Sequence, residues 1–330
     1  MSEPPRAVDG RQSIGPGAAA LALLLAALWG GTPVAVKFSL DQLDVMAIAA
    51  VRFGMAAAFM LVWCRLEGSG LKLRSEQVLP SLVTGLLLFV QIGLFNTAIR
   101  LSNASHSTLL INTFIFWVAM IEHFITRTGR LTLQKWAGLA IAFAGVAVMM
   151  LTAKSTGATG SELPVPPDST ASLAGDLLML ASAILLGIKI IYTKQAMTVV
   201  EPGKLIFWHD VIGVACFAAW SLLFEDSDLS PFLSAAVFTE PAVRNAMLGL
   251  LYQGVVVAGF CFATQALLLR KHSASQLSAF SFATPLFGVA YAVLLRGDPL
   301  SGWLAVAGVA VAAGIVLVNR RERNDLREFP

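Results

Sequence analysis

Ten apolar stretches of about 18 to 25 residues, each nearly free of charge, follow one another along this 330-residue chain. They fall near 18–40, 45–65, 79–99, 104–125, 132–152, 174–196, 204–224, 245–269, 273–295 and 301–318. Each is long enough for an α-helix to cross the hydrocarbon core of a bilayer, roughly 30 Å thick. Helices satisfy their own backbone hydrogen bonds there, and open sheets do not. Charged residues make up 13% of the chain, against about a quarter in soluble proteins. A water-soluble globular fold is therefore excluded, and the expectation is an all-α membrane protein with ten transmembrane helices.

Most connections between the stretches are short and polar. The exception is 153–173, rich in Ser, Thr, Gly and Pro, which reads as a flexible linker at the midpoint of the chain. A second extramembrane piece, 225–243, carries Glu225, Asp226, Asp228 and Glu240. The first stretch follows Arg6 and Arg11 but continues past Trp29 to Leu40, too long for a signal-peptide core, so it is expected to remain as a span. With the N-terminus in the cytoplasm, sixteen Lys and Arg fall in inside segments and four outside, a strong positive-inside bias. Both tails, 1–17 and 319–330, are then cytoplasmic, and the 153–173 linker and 225–243 loop are external.

Several chemistries find no support. Cys64, Cys216 and Cys261 lie far apart and form neither a disulfide framework nor a zinc pattern. There is no phosphate-binding glycine loop, H-E-x-x-H or G-x-S-x-G, and thus no expected cofactor or catalytic constellation. The basic residues flank spans as topology signals and do not form a nucleic-acid-binding stripe.

Self-comparison reveals a duplication. Trp29-Gly30 through Lys37 aligns with Leu186-Gly187 through Lys194 at an offset of 157, which also sets Arg52 against His209. Residues 97–105 run against 265–273 at 168, and Arg130-Leu131 and Gly145 match Pro299-Leu300 and Gly314 at 169. Each half, 18–152 and 174–318, holds five spans. An odd number puts the halves in opposite orientations, as two inverted five-helix repeats, an arrangement typical of secondary transporters with a site near midplane.

The pattern resembles the EamA family of the drug/metabolite transporter superfamily across nearly the whole chain. The residues carrying the resemblance are Trp29 through Lys37, the Arg52-Phe53 pair, and Trp136 through Gly138 with Gly145-Val146. In the second half they are Gly175-Asp176, Ser273 through Gly288 with Pro285, and Gly297 through Leu300. The resemblance implies a bacterial inner-membrane carrier of small metabolites such as amino acids. Two departures stand out. Phe116 occupies the place of the family's fourth-span proline, with Thr128-Gly129-Arg130 at that span's end, and Gly297-Asp298 replaces the commoner Gly-Glu.

Polar groups at depth are the candidate site residues, because each costs free energy unless paired or facing water. Pro33, beside Gly30, Gly31 and Thr32, is expected to break the first span, and Pro285 to kink the ninth. The freed carbonyls either line a cavity or are satisfied by neighbouring hydroxyls. Lys189 and Asp210 sit about 10–12 Å from the cytoplasmic ends of their spans and are expected to pair, with His209 adjacent. That pair is either a gate or proton-coupling element, or a static link between helices. Arg52 is expected to hold Asp41, Asp44 or a substrate carboxylate, and Lys37 to snorkel to the interface. Gln91, Asn96, Asn112, Thr113, Tyr252, Gln253, Gln265, Ser281 and Thr284, with Trp29, Phe116, Trp117 and Trp208 near them in the pattern, would provide a pocket for a small amphipathic solute, or hydrogen bonds between helices. Glu122 and His123 beside Arg127 read as a surface ion-pair cluster.

The sequence thus points to a multi-pass secondary carrier of the cytoplasmic membrane, exporting an amino acid or related zwitterion by alternating access. Its partners would be the solute, the bilayer, and protons or an exchanged solute. A polyspecific drug exporter is the alternative within transporters, and a passive channel or membrane enzyme fits the sparse polar residues less well.

Overall fold

The computed structural model describes residues 15–68, 70–126, 132–134, 136–138, 140–141, 144–145, 171–271, 279–298 and 302–319. Among them every element is helical. In chain order these are α1 (Pro16–Gly30), α2 (Thr32–Leu40), α3 (Val45–Leu66), α4 (Ser75–Leu101), α5 (Ala104–Ile111) and α6 (Phe114–Phe124). The second half contributes α7 (Leu173–Ala196), α8 (Pro202–Phe224), α9 (Pro241–Leu251), a π-helical segment Tyr252–Cys261, α10 (Phe262–Lys271), α11 (Ala283–Tyr291) and α12 (Gly302–Asn319). A 3-10 turn, Ser230–Leu233, and a short helix, Ala236–Thr239, precede α9.

Seven helical stretches among the described residues are long and apolar enough to cross a membrane: 16–40, 45–66, 75–101, 104–124, 173–196, 202–224 and 241–268. They coincide with seven of the ten expected spans. Shorter apolar helices, Ala283–Arg296 and Ala305–Gly314, stand where the ninth and tenth were expected. Most of the fifth span, the 153–173 linker and both tails lie outside the described residues.

The centre of the bundle is an antiparallel pair, α3 and α8. Phe53 stacks on Phe217 with ring centroids 5.7 Å apart. Around them Ala49 and Ala56 of α3, Leu88 and Ile92 of α4, and Ala258 of the π segment form a closed apolar core. Small residues on α3 let backbones approach, which favours association where lipid is as apolar as the protein. The two helices belong to different repeats and hold matching places in them. Their opposite directions fit the inversion that the duplication implies.

Among the described residues, three spans are irregular in the middle. The first breaks between α1 and α2 at Gly31, as Pro33 leads one to expect. The Tyr252 hydroxyl donates to the Leu28 carbonyl there. A side chain on Gly31 would collide with that hydroxyl, its Cβ falling 2.6 Å from the oxygen. The fourth span breaks between α5 and α6 at Asn112-Thr113 although it has no proline. Its own side chains satisfy the break: Asn112 Nδ2 donates to the Thr108 carbonyl at 2.7 Å and Thr113 Oγ1 to the Leu110 carbonyl at 2.7 Å. The eighth span contains the π segment, a geometry frequent at functional sites. Pro285 is the third residue of α11, so it sits where a missing amide hydrogen bond is least felt.

Candidate functional site: a cationic cavity between the repeats

A cavity of about 1120 Å³ lies between the two halves. Its deep end is formed by Trp29, Thr32 and Arg52, and it runs to Glu67 and Glu201 at the far ends of α3 and α8. Along α3 the distance from Arg52 to Glu67 corresponds to about 22 Å of helix rise. Eleven of the candidate residues line it: Trp29, Thr32, Pro33, Arg52, Gln91, Asn112, Lys189, His209, Gln265, Ser281 and Thr284.

Arg52 is buried, with 2% of its surface exposed. Its guanidinium lies over the Phe53 ring, 4.9 Å from the centroid. Nε and Nη1 have no hydrogen-bond partner. The expected pairing with Asp41 or Asp44 does not occur, because Asp41 pairs with Arg296 at 2.7 Å and Asp44 with Arg100 at 2.8 Å. Both acids sit at the end of the bundle, where the half-buried Arg296 and the exposed Arg100 reach them. Arg52, more than a turn deeper, is left facing the cavity.

Lys189 Nζ donates to Gln91 Oε1 at 3.0 Å and sits over the Phe262 ring at 5.9 Å. Gln91 is itself fixed, its Nε2 donating to Ser182 Oγ at 3.0 Å while Ser182 Oγ donates back to the Gln91 carbonyl. Asp210 instead takes His209, Nδ1 lying 2.9 Å from Oδ1. The direct Lys189–Asp210 ion pair expected from depth alone is therefore replaced by two separate bonds. Equal depth does not bring two side chains onto facing sides of their helices. Arg52, Lys189 and Asp210 still lie within electrostatic reach of one another. Two cations and one acid leave the region net positive, framed by Trp29, Phe53 and Phe262.

The remaining candidates serve the scaffold. Asn96 Nδ2 donates to the Val45 carbonyl at 3.0 Å, and Gln253 Nε2 to Ser39 Oγ at 2.9 Å. Thr113 and Tyr252 satisfy the helix breaks, and Trp208 donates to the Leu71 carbonyl at 2.8 Å. Lys37 is buried, so it does not snorkel. Arg127, the expected neighbour of Glu122 and His123, lies outside the described residues; Glu122 lines the cavity.

At the end remote from Glu67 and Glu201, carboxylates of one repeat hold backbone and side chains of the other. Glu225 accepts from the Met46 and Ala47 amides at 2.9 Å each, covering the N-terminus of α3. Asp298 accepts from the Ser105 amide at 2.9 Å at the start of α5. Asp176 accepts from Ser102 Oγ at 2.8 Å and lies 3.0 Å from His106 Nδ1. Anionic groups are favoured at helix N-termini, where free N–H groups and the helix dipole converge. Together with Arg296–Asp41 and Arg100–Asp44, these bonds seal that end. Sequence reasoning missed Glu225, Asp298 and the Asp176–His106 pair. Their one signal was an acid at a span boundary, and no local pattern tells which distant helix it caps.

At the cavity mouth, Glu201 forms an ion pair with Lys204 at 2.9 Å. That side-chain hydrogen bond holds the Glu201 carboxyl below its ordinary value. Among the described residues no cluster of three or more His, Cys, Asp or Glu could hold a metal ion.

Comparison with known proteins bears on this architecture. The profile of the EamA-like transporter family matches residues 17–151 and 173–320. An "uncharacterized transporter" of Archaeoglobus fulgidus is 22% identical over 298 residues, covering 89% of this chain and 94% of its own. A "probable amino-acid metabolite efflux pump" of Salmonella typhimurium is 24% identical over 304 residues, covering 90% and 93%. A protein of known crystal structure shares the fold, with a TM-score of 0.65 and 18% identity over 92% of this chain and 98% of its own. A transporter family spanning both halves accords with an all-α membrane protein of ten spans in two inverted five-helix repeats. The chain belongs to the EamA-like transporter family.

Proposed function

We propose that this transporter exports a small carboxylate-bearing metabolite, an amino acid or related zwitterion, from the cytoplasm by alternating access. The observation that carries this is Arg52. Arg52 lines a cavity of solute size, its Nε and Nη1 are buried without a partner, and a planar guanidinium matches a carboxylate in a bidentate hydrogen-bonded pair. The aromatic frame would receive the solute's apolar part, and Gln265, Ser281 or Thr284 its amine. The name of the Salmonella relative supports the same class.

The bias of Lys and Arg favours placing both tails and the cavity mouth in the cytoplasm, with the carboxylate-sealed end outside. The repeats then run over 18–152 and 174–318, joined by an external linker at 153–173, in the cytoplasmic membrane. In this frame the cavity is loaded from inside. Energy would come from protons or exchange. His209–Asp210 and Lys189–Gln91 are the bonds whose rearrangement would couple a proton to opening.

Solute binding tests the reading. In detergent, an amino acid should raise the unfolding temperature, and its decarboxylated amine should not. Equal stabilisation by the two would contradict carboxylate recognition. The aromatic residues Trp29, Trp63, Phe95, Phe114 and Phe262 around the cavity favour a second reading, efflux of apolar cations. Stabilisation by such cations alone would support it.

A further inference from the structure

The central pair α3 and α8 ends in a reciprocal arrangement that is used at one end only. Each helix is followed by a glutamate: Glu67 after Leu66, and Glu225 after Phe224. Because the helices run antiparallel, each glutamate lies beside the partner's N-terminus. At the sealed end Glu225 is bonded, its two oxygens taking the amides of the second and third residues of α3, Met46 and Ala47. At the cavity mouth the corresponding amides are those of Gly203 and Lys204, the second and third residues of α8. No acceptor among the described residues is placed on either. Glu67 is already close, since a Cβ on Gly203 would lie 3.2 Å from Glu67 Oε2. Glycine leaves that approach open. The residue at the N-cap of α8, Glu201, has its carboxylate turned away to Lys204.

The register of the duplication agrees. An offset of 157 carries Asp44 at the N-cap of α3 onto Glu201 at the N-cap of α8, and Met46 onto Gly203. An offset of 158 carries Glu67 onto Glu225. The two ends of the pair are therefore equivalent in sequence and unequal in bonding.

We propose that Glu67 and Glu225 are alternating latches: in the state closed at the cavity mouth, Glu67 caps Gly203 and Lys204 as Glu225 now caps Met46 and Ala47. A carboxylate accepting two N–H groups at a helix N-terminus is a strong, charge-assisted bond. Breaking one latch while making the other keeps the two end states near in free energy, which a carrier needs to cycle. Glu67, at the mouth of the cavity, is thus a positioning residue of the transport cycle. The inference rests on alternating access.

The test uses the full chain in lipid nanodiscs, with the three native cysteines replaced by alanine and a reporter cysteine at Thr193, which lines the cavity. Labelling by a bulky impermeant maleimide reads how often the mouth is open. Glu225→Gln should close the mouth and slow labelling about tenfold, because one charge-assisted bond is lost from the open-mouthed state only. Adding Glu67→Gln should restore the original rate, as should Glu67→Asp, which keeps the charge but shortens the reach. A double variant that labels as slowly as Glu225→Gln alone overturns the role of Glu67. If Glu225→Gln itself leaves labelling unchanged, the latch is overturned, whether or not the protein alternates between its two faces. Unfolding temperatures of the four proteins separate these outcomes from misfolding.

Discussion

Lys189 and Gln91 join the two repeats through one buried hydrogen bond of 3.0 Å, made by a cation of the second half and an amide of the first. Gln91 is in turn held by Ser182, two helical turns before Lys189 on the same helix. A cation in a membrane interior is expensive without a partner, so this amide sets the cost of keeping Lys189 charged.

Gln91→Leu should therefore destabilise the protein by about 1–3 kcal/mol, the penalty for a buried polar group left unpaired. Combining it with Lys189→Met should recover much of that loss, because both polar partners are then gone. Unfolding in detergent, analysed as a double-mutant cycle, gives the coupling. Additive losses would mean that the bond contributes nothing.

Arg52 predicts a different signature. Arg52→Ala should raise KM for carboxylate-bearing solutes by about tenfold to a hundredfold, the worth of a charge-assisted bond of 1.5–3 kcal/mol. Thermal stability should fall only slightly, since Nε and Nη1 have no protein hydrogen bond to lose and the contact with the Phe53 ring is the main loss. Arg52→Lys should recover charge but not bidentate geometry, and so only part of the affinity. A fall in stability with KM unchanged would make Arg52 structural.

The crossing of α1 and α11 depends on Gly30 and Gly288. A Cβ on Gly30 would lie 2.9 Å from the Gly288 nitrogen and from the Thr284 carbonyl oxygen, both backbone atoms that cannot swing away. One on Gly288 would collide with Thr108 Cγ2. Gly30→Val should cost about 1–3 kcal/mol as overpacking, read as a lower unfolding temperature. It should also impair transport, since Thr284 lines the cavity. An unchanged unfolding temperature would contradict the tight crossing.

Glu201 gives a pH prediction. Its carboxyl is lowered first by the side-chain hydrogen bond from Lys204. A lowered acid contributes stability that is complete above the unfolded value, about 4.3, and is lost as pH falls through the folded value. The Lys204 pair should therefore be constant between about pH 6 and 8. The difference in unfolding temperature between wild type and Glu201→Gln should stay flat over that range and shrink only in acid. The difference should be small, because the Glu201 carboxylate is largely exposed. A difference changing between pH 6 and 8 would require another titrating group in contact with Glu201.

Much of the fold was legible in the sequence for a simple reason. A bilayer demands about 20 apolar residues per helix, and that periodicity survives in any single chain. The Pro33 break was legible because proline removes a donor wherever it stands. The break at Asn112-Thr113 was not, because it depends on two side chains folding back onto carbonyls three and four residues earlier, which Asn and Thr also fail to do in many helices. Of the site, burial depth identified Arg52, Lys189 and His209. It could not assign partners, since Lys189 found Gln91 and Asp210 found His209 through helix rotation, which apolar patterns in a membrane leave unspecified. The carboxylate seals at Glu225, Asp176 and Asp298 depend on contacts across the repeats and have no local signature.

The central claim is a carrier that binds a carboxylate at Arg52 and alternates between its two faces. Counterflow in proteoliposomes tests it most directly. Vesicles preloaded with an unlabelled amino acid are diluted into a trace of the labelled one. The account predicts a transient accumulation of label above equilibrium for wild type, strongly reduced in Arg52→Ala. Label that only equilibrates, at a rate proportional to concentration and indifferent to preloading or to Arg52, would contradict it.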